Sequence, residues 1–275
     1  MKKKRHISKV GIHLLLIFFS IVSLFPLYWL FTTSLKPSLD VFSTDLLGFF
    51  QPSLENYRTV LLNDNYPRYL LNSVLTSLLT VAITVPIGAM SGYAFARLKM
   101  KKKDTWFFMI LTTRMAPAVT FAVPIYLMMV SIGLIDSTAG LVAVYVFSNL
   151  ALAVWLSRSF FEDVPKEIEE AAMVDGVTQF GAFIKFAVPI ASGGLVATAI
   201  LIFIFSWNEF FFASILTQNA AKTFTVHLTS FFGSKRILWG ELAAASTIGS
   251  GVPILFALSM KKYLIRGLTM GAVKG

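Results

Sequence analysis

The chain predicts an all-α integral membrane protein built on six transmembrane helices. Only 14% of its 275 residues are charged while 56% are hydrophobic, against about 25% charged in a soluble domain. Its mean hydropathy is +0.73, so lipid is the solvent for most of its surface. The apolar residues come in continuous runs rather than alternating. Since only helices or closed barrels satisfy backbone polar groups in lipid, such runs select helices. Basic residues gather on alternate connections, as expected of a helical bundle with a fixed orientation.

A bilayer core needs roughly 20 apolar residues in helical form, and six segments meet this at about 11–33, 70–95, 105–132, 138–160, 187–215 and 240–260. The first follows the basic start Met1-Lys2-Lys3-Lys4-Arg5-His6. That order resembles a secretory leader, but the apolar run is too long, lacks a small-x-small cleavage site and is followed by further spans. It reads as an uncleaved transmembrane helix. The connection from about Leu35 to Tyr69 carries the turn formers Pro37, Asp40, Pro52, Asn56, Asn63, Asp64, Asn65 and Pro67, and is expected to hold one or two short helices near the outer surface. In the second span Gly88 and Gly92 lie four apart, a spacing for tight helix crossing. Pro117 and Pro124 should bend the third. Gly249-Ser250-Gly251-Val252-Pro253 is expected to pack and bend the sixth, and Glu241 to stabilise that helix's N-terminus. The chain divides into a tail at 1–10, a six-helix domain at 11–265 with a polar loop at about 162–186, and a tail at 266–275.

With the N-terminus inside, seventeen basic residues fall on inner segments: Lys2, Lys3, Lys4, Arg5 and Lys9; Arg97, Lys99, Lys101, Lys102 and Lys103; Arg158, Lys166 and Lys185; Lys261, Lys262, Arg266 and Lys274. Six, Lys36, Arg58, Arg68, Lys222, Lys235 and Arg236, fall outside, and Arg114 lies within a span. Both termini are therefore expected in the cytoplasm. The net charge of +10 is a topological signal and argues against nucleic acid as a partner.

The loop from Asp163 to Thr178 is the one polar stretch shaped for another protein. Asp163 is a candidate N-cap, with Pro165 in the first turn, and Glu167, Glu169 and Glu170 sit where the helix dipole favours negative charge. Ile168, Ala171, Ala172 and Asp175 share one small, largely apolar face. Gly176 suits a left-handed C-terminal cap, and Thr178 can cap a second short helix leading through Phe183 and Phe186 to Pro189. On these residues alone, a docking element and an ordinary amphipathic surface helix remain open.

Glu170-Ala171-Ala172, three residues, Gly176, nine residues, a hydrophobic residue and Pro189 resemble the loop signature of binding-protein-dependent ABC importer permeases. The family ends that signature Ile-x-Leu-Pro, where this chain has Phe186-Ala187-Val188-Pro189. The six-span layout, Leu111-Thr112-Thr113-Arg114-Met115-Ala116-Pro117, Trp207-Asn208-Glu209-Phe210 and the tail Arg266 to Gly275 are similar to carbohydrate-importer permeases of the maltose-permease type. The resemblance implies a permease working beside a second, related permease, an ABC ATPase dimer that binds ATP and Mg, and an extracytoplasmic solute-binding protein delivering a sugar. This chain itself would hold no cofactor. Glu170, Ala171, Ala172, Asp175 and Gly176 would then couple to the ATPase, and Thr269 to Gly275 would be a second contact.

A charge near mid-bilayer costs roughly 2.5–3.5 kcal/mol on insertion scales, so Arg114 should face a cavity or a partner subunit, as a structural ion pair or carbonyl contact or as part of the translocation pathway. Asn208 and Glu209, at the outer end of the fifth span, either snorkel to water or line the cavity's mouth. The chain has no G-x-x-x-x-G-K-[ST] loop for ATP. His6, His13 and His227 are dispersed and form no zinc-protease pattern. Without cysteine it has no thiolate metal site, and without a carboxylate near a span centre a proton-coupled carrier is disfavoured. The rival that stays open is a secondary transporter or channel subunit working without an ATPase.

Overall fold

The computed structural model describes the backbone of residues 2–37, 41, 50–63, 65–233 and 237–270, and the side chains of all these except 2–10, 63 and 262–270. Among these residues twelve α-helices follow one another: α1 (Lys2–Ser34), α2 (Glu55–Arg58), α3 (Tyr66–Arg97), α4 (Lys103–Met115), α5 (Ala118–Ser131), α6 (Thr138–Glu162), α7 (Lys166–Val174), α8 (Gln179–Ala182), α9 (Val188–Trp207), α10 (Phe211–Leu216), α11 (Phe224–His227) and α12 (Trp239–Met270). Among the described residues no strand forms, only an isolated bridge between Phe232 and Ile237. Among the described residues five helical stretches are long and apolar enough to cross a membrane: Gly11–Ser34, Tyr66–Arg97, Thr138–Glu162, Gln179–Trp207 and Trp239–Lys261. The pair α4 and α5 makes a sixth crossing if counted as one.

Two of the expected spans are not continuous. The third turns by 90° between α4 and α5, where a single bent helix over 105–132 was expected. Pro117 is the cause: its ring excludes the helical region for the preceding residue, and Ala116 is extended at φ −73°, ψ 136°. Pro124 sits inside α5 without ending it. The fifth span was expected over 187–215 but ends at Trp207, and the chain restarts as α10. It also begins earlier, because α8 runs through a π-turn at Phe183–Ala187 into α9. Pro189, near the start of α9, lacks the N–H that an α-turn would direct at Lys185, and the wider turn accommodates that loss.

The chain separates into two compact units, Met1–Pro67 with Leu228–Gly251, and Arg68–His227 with Val252–Gly275. In the first, Asn56 is buried and donates from Nδ2 to the carbonyls of Ser34 and Lys36, both at 2.9 Å. Asn56, expected as a loop turn former, instead fastens the end of α1. Gly240 leaves the room for it, since a Cβ there would lie 2.7 Å from the amide. The Tyr66 hydroxyl donates to the Ala245 carbonyl at 2.6 Å. Among the described residues a Cβ at Gly251 would meet nothing within 4 Å, so no close crossing forms there, where a packing role is expected. Asp40, Asp64, Lys235 and Arg236 lie outside the described residues.

In the second unit, α3 crosses α6 at Gly88 and Gly92. A Cβ on Gly88 would collide with Ala153, and one on Gly92 would come within 2.6 Å of the Arg158 backbone nitrogen. Small residues here let the two backbones approach. One core cluster gathers Ala89, Tyr93 and Ala96 with Phe161, Phe183 and Ala187. A second joins Ile125, Leu141 and Tyr145 to Phe212 and Leu216.

The turn before α6 holds a further device. Asp136 adopts φ +52°, and its carboxylate accepts from the backbone N–H groups of Gln218, Asn219, Ala220 and Ala221 at 2.9–3.1 Å. Asn72 donates to the carbonyls of Ala220 and Lys222, both at 2.9 Å, and Ser73 accepts from the Phe224 N–H. Burial alone would raise the Asp136 carboxyl, but the four N–H donors outweigh it and hold its pKa at about 2, below the ordinary 3.8. The contribution of this carboxylate is therefore complete above its ordinary value and is lost as pH falls through about 2. Asp136→Asn should weaken the 217–222 connection by about 1–2 kcal/mol. Hydrogen exchange at the 218–221 amides should accelerate accordingly at pH 7, while in the unsubstituted protein it should stay protected down to pH values just above 4.

Candidate functional site

The loop helix α7 is terminated by geometry that its sequence specifies locally. Gly176 takes φ +87°, its N–H donates to the Met173 carbonyl at 3.1 Å, and the Val177 N–H donates to the Ala172 carbonyl at 3.0 Å. These two bonds complete a Schellman motif. The Thr178 side chain accepts from the Gly181 N–H at 3.1 Å and caps α8. The start differs from expectation. Asp163 forms the end of α6, and Pro165 occupies the N-cap of α7 with no side-chain cap bond. The proline restricts Val164 against helix, which delays the new helix past the aspartate.

Of the small face formed by Ile168, Ala171, Ala172 and Asp175, only Ala172 turns inward, and Glu169 joins it. Glu169 and Ala172 are buried, whereas Ile168, Glu170, Ala171, Met173, Asp175 and Gly176 are exposed. Val174 is 87% and Phe180 65% exposed. The reason is electrostatic. Glu169 reaches Arg97 at the end of α3, accepting at Oε1 from Nε at 2.9 Å and pairing with Nη2 at 2.8 Å. Its Oε2 accepts from the Tyr93 hydroxyl at 2.6 Å. Arg97 Nη2 also donates to the Val164 carbonyl at 2.7 Å, in the joint between α6 and α7. Both charged side chains are nearly sealed, 6% and 4% exposed. By sequence alone, Glu169 belongs with the acids that suit the helix dipole and Arg97 with the basic residues that set topology. The signal was a missing one, since nothing local distinguishes Glu169 from its neighbours Glu167 and Glu170.

The second locus is a cavity of about 350 Å³ lined by residues that include Arg114, Phe147, Asn149, Phe205, Glu209 and Phe212. The broken third span places Arg114 at the last turn of α4, where its guanidinium lies 4.9 Å from the centre of the Phe205 ring and donates to the Ser148 carbonyl at 3.3 Å. Glu209 enters from the gap between α9 and α10. Its carboxylate accepts from the Phe212 and Ala213 N–H groups at 2.9 and 3.0 Å, so it holds the restart of the helix as well as facing the cavity. The structure thus brings Arg114 and Glu209 to one cavity. It does not bring Asn208, whose amide donates back to the Ile204 carbonyl at 2.8 Å and which is not among the lining residues. Among the described residues no three His, Asp or Glu side chains gather as a metal site. Of the tail Thr269 to Gly275, the side chains lie outside the described residues.

Gly176 tests the loop geometry without a steric complication, because a Cβ there meets nothing within 4 Å. Gly176→Ala should therefore act through backbone strain alone, costing about 1 kcal/mol. It should raise hydrogen exchange of the Gly176 and Val177 amides while leaving the melting temperature of the whole chain nearly unchanged.

The chain has relatives. A family model described as binding-protein-dependent transport system inner membrane component matches residues 84–270. The trehalose transport system permease protein SugB of Mycobacterium tuberculosis is 38% identical over 259 residues, covering 92% of this chain and 93% of that protein. The trehalose/maltose transport system permease protein MalG of Thermococcus litoralis is 32% identical, covering 94% of each. Among solved structures, a bacterial ABC transporter involved in the import of the acidic polysaccharide alginate superposes with a TM-score of 0.79 at 21% identity, covering 94% of this chain and 97% of that one. That likeness extends the shared fold well beyond the loop, and the family model alone spans more than half of the sequence. The chain belongs to the family of binding-protein-dependent transport system inner membrane components.

Proposed function

We propose that this chain is the transmembrane permease subunit of an ATP-driven ABC importer, translocating a sugar or sugar-like solute delivered by an extracytoplasmic binding protein. One observation carries the reading: a rigidly capped loop helix leaves Ile168, Glu170, Ala171 and Met173 open to a partner while its opposite face is locked to α3 through Glu169. The similarity to trehalose and trehalose/maltose permeases supplies the solute class. A dimer of ABC ATPases would bind ATP and Mg and do the hydrolysis, and a second, related permease would complete the passage. Glu170, Ala171, Asp175 and Gly176 would contact the ATPase, with Ala172 setting the shape of the helix from its buried side. Both termini and the loop would then face the cytoplasm, in agreement with the distribution of basic residues.

The cavity suits a sugar chemically. Its phenylalanine rings offer faces to the C–H surface of a pyranose. Arg114, Asn149 and Glu209 offer hydrogen bonds to hydroxyls, in a concave site of few polar groups among apolar ones. Arg114 already makes a ring contact and a carbonyl bond, so it is oriented before any solute arrives.

Purification of the tagged chain in detergent should bring down an ATPase, a second permease and a solute-binding protein. Proteoliposomes holding that complex should accumulate solute only with ATP inside and the binding protein outside. Accumulation by this chain alone, driven by an ion gradient, would refute the reading. Arg114→Ala should leave the complex assembled and lower uptake about tenfold, the loss expected for one well-placed charged contact.

A further inference from the structure

Arg97, Glu169 and Tyr93 make a closed node whose position matters more than its charge. Arg97 is the last residue of α3. Its Nη2 touches both the Glu169 carboxylate on α7 and the Val164 carbonyl in the α6–α7 joint, at 2.8 and 2.7 Å. Tyr93, one turn earlier on α3, bonds the other carboxylate oxygen. The same tyrosine ring sits 5.5 Å from Phe161 at the end of α6 and 4.7 Å from Phe183 in the π-turn leading into α9. Four segments thus converge within one residue's reach of Tyr93.

The joint between α6 and α7 is the place where such a loop would otherwise hinge. Asp163, Val164 and Pro165 are not helical in sequence with either neighbour, and Pro165 sets an extended backbone at φ −57°, ψ 126°. Without Arg97, α7 would hold to the rest of the unit through the Tyr93 hydroxyl, Ala172 and the connection to α8. With it, rotation about the joint would pull the Glu169 carboxylate away from a buried guanidinium. Both side chains are nearly sealed, 6% and 4% exposed, so separation would leave each charge inside the protein without its partner. Burying one charge uncompensated is far costlier than keeping the pair. A push on the exposed face of α7 therefore moves α3, the end of α6 and the start of α9 together rather than bending the loop.

We infer that Arg97, Glu169 and Tyr93 are the transmission joint through which displacement of α7 reaches the membrane helices. They are positioning residues for the coupling of hydrolysis to transport, not contacts of the ATPase or of the solute. This inference rests on the importer reading above.

The test uses the complete transporter in proteoliposomes, measuring solute taken up per ATP hydrolysed. The unsubstituted complex must first show ATP-driven uptake; failure there defeats the importer reading, whereas the joint is judged only on the ratio. Glu169→Gln should keep the ATPase bound and hydrolysing but lower uptake per ATP about tenfold, and Tyr93→Phe, which removes one bond and little volume, should lower it about threefold. Because the chain has no cysteine, Arg97→Cys with Glu169→Cys can be bridged by a bifunctional methanethiosulfonate reagent. The unbridged pair should be uncoupled, and bridging should recover most of the ratio, which restored stability by itself would not do. An unchanged ratio in Glu169→Gln and Tyr93→Phe would overturn the inference, as would bridging without recovery. Loss of the bound ATPase in these variants would make the node an assembly element and would overturn it equally.

Discussion

In hydrocarbon, a backbone N–H or C=O without a partner costs several kcal/mol, and this single constraint organises the second unit. Helices satisfy it by default, so each departure from helix needs a dedicated acceptor or donor. At the end of α9 the Glu209 carboxylate takes the first free N–H groups of α10. Between α4 and α5 the break falls at Pro117, which has no N–H to leave unpaired. Both departures border the same cavity, since Arg114, Ala116 and Ala118 line it from one side and Glu209 and Phe212 from the other. Irregular backbone within a membrane is tolerated where it lines a cavity, and Glu209, which closes the second break, faces that cavity.

Two kinds of charge pair meet where α3, α4, α6 and α7 come together. Arg158 pairs with Glu162 at 2.8 Å and lies 3.6 Å from Asp104, but those carboxylates are 47% and 90% exposed, so the pairs contribute little to stability. Arg97 and Glu169 are sealed, and their value lies in what separation would cost rather than in what pairing gains. The first arrangement tolerates movement and the second forbids it. A loop helix held by the second kind of contact is a stiff part of the unit, although it projects from it.

What could be read from the sequence follows the range of the interactions. Gly176, Thr178 and the Gly88–Gly92 pair were legible because each obeys a rule confined to a few neighbouring residues: a left-handed cap, an N-cap, a four-residue spacing. The apolar runs gave the spans for the same reason. Pro117 was read as a bend and is a break, because the severity depends on what Ala116 and the facing helices allow. By local rules Asn56 is a turn former and Glu169 one acid among several, while no pattern singles out Asp136. Each does its work through partners 20 to 85 positions away, and no local pattern separates them from similar residues that do nothing. Arg114 lay between, since its cost in lipid announced a purpose while the cavity and Phe205 became visible only in three dimensions.

The helix α1 has one more consequence, for how the protein is made. Over Gly11–Ser34 none of its most apolar stretch is covered by the rest of the chain. Its backbone bonds are internal and its side chains favour lipid, so it is stable as a single anchor before the later helices have left the ribosome. Insertion and assembly are thereby separated: the first helix can settle in the bilayer during synthesis, and the later ones, whose kinks and buried ions need neighbours, can wait for one another.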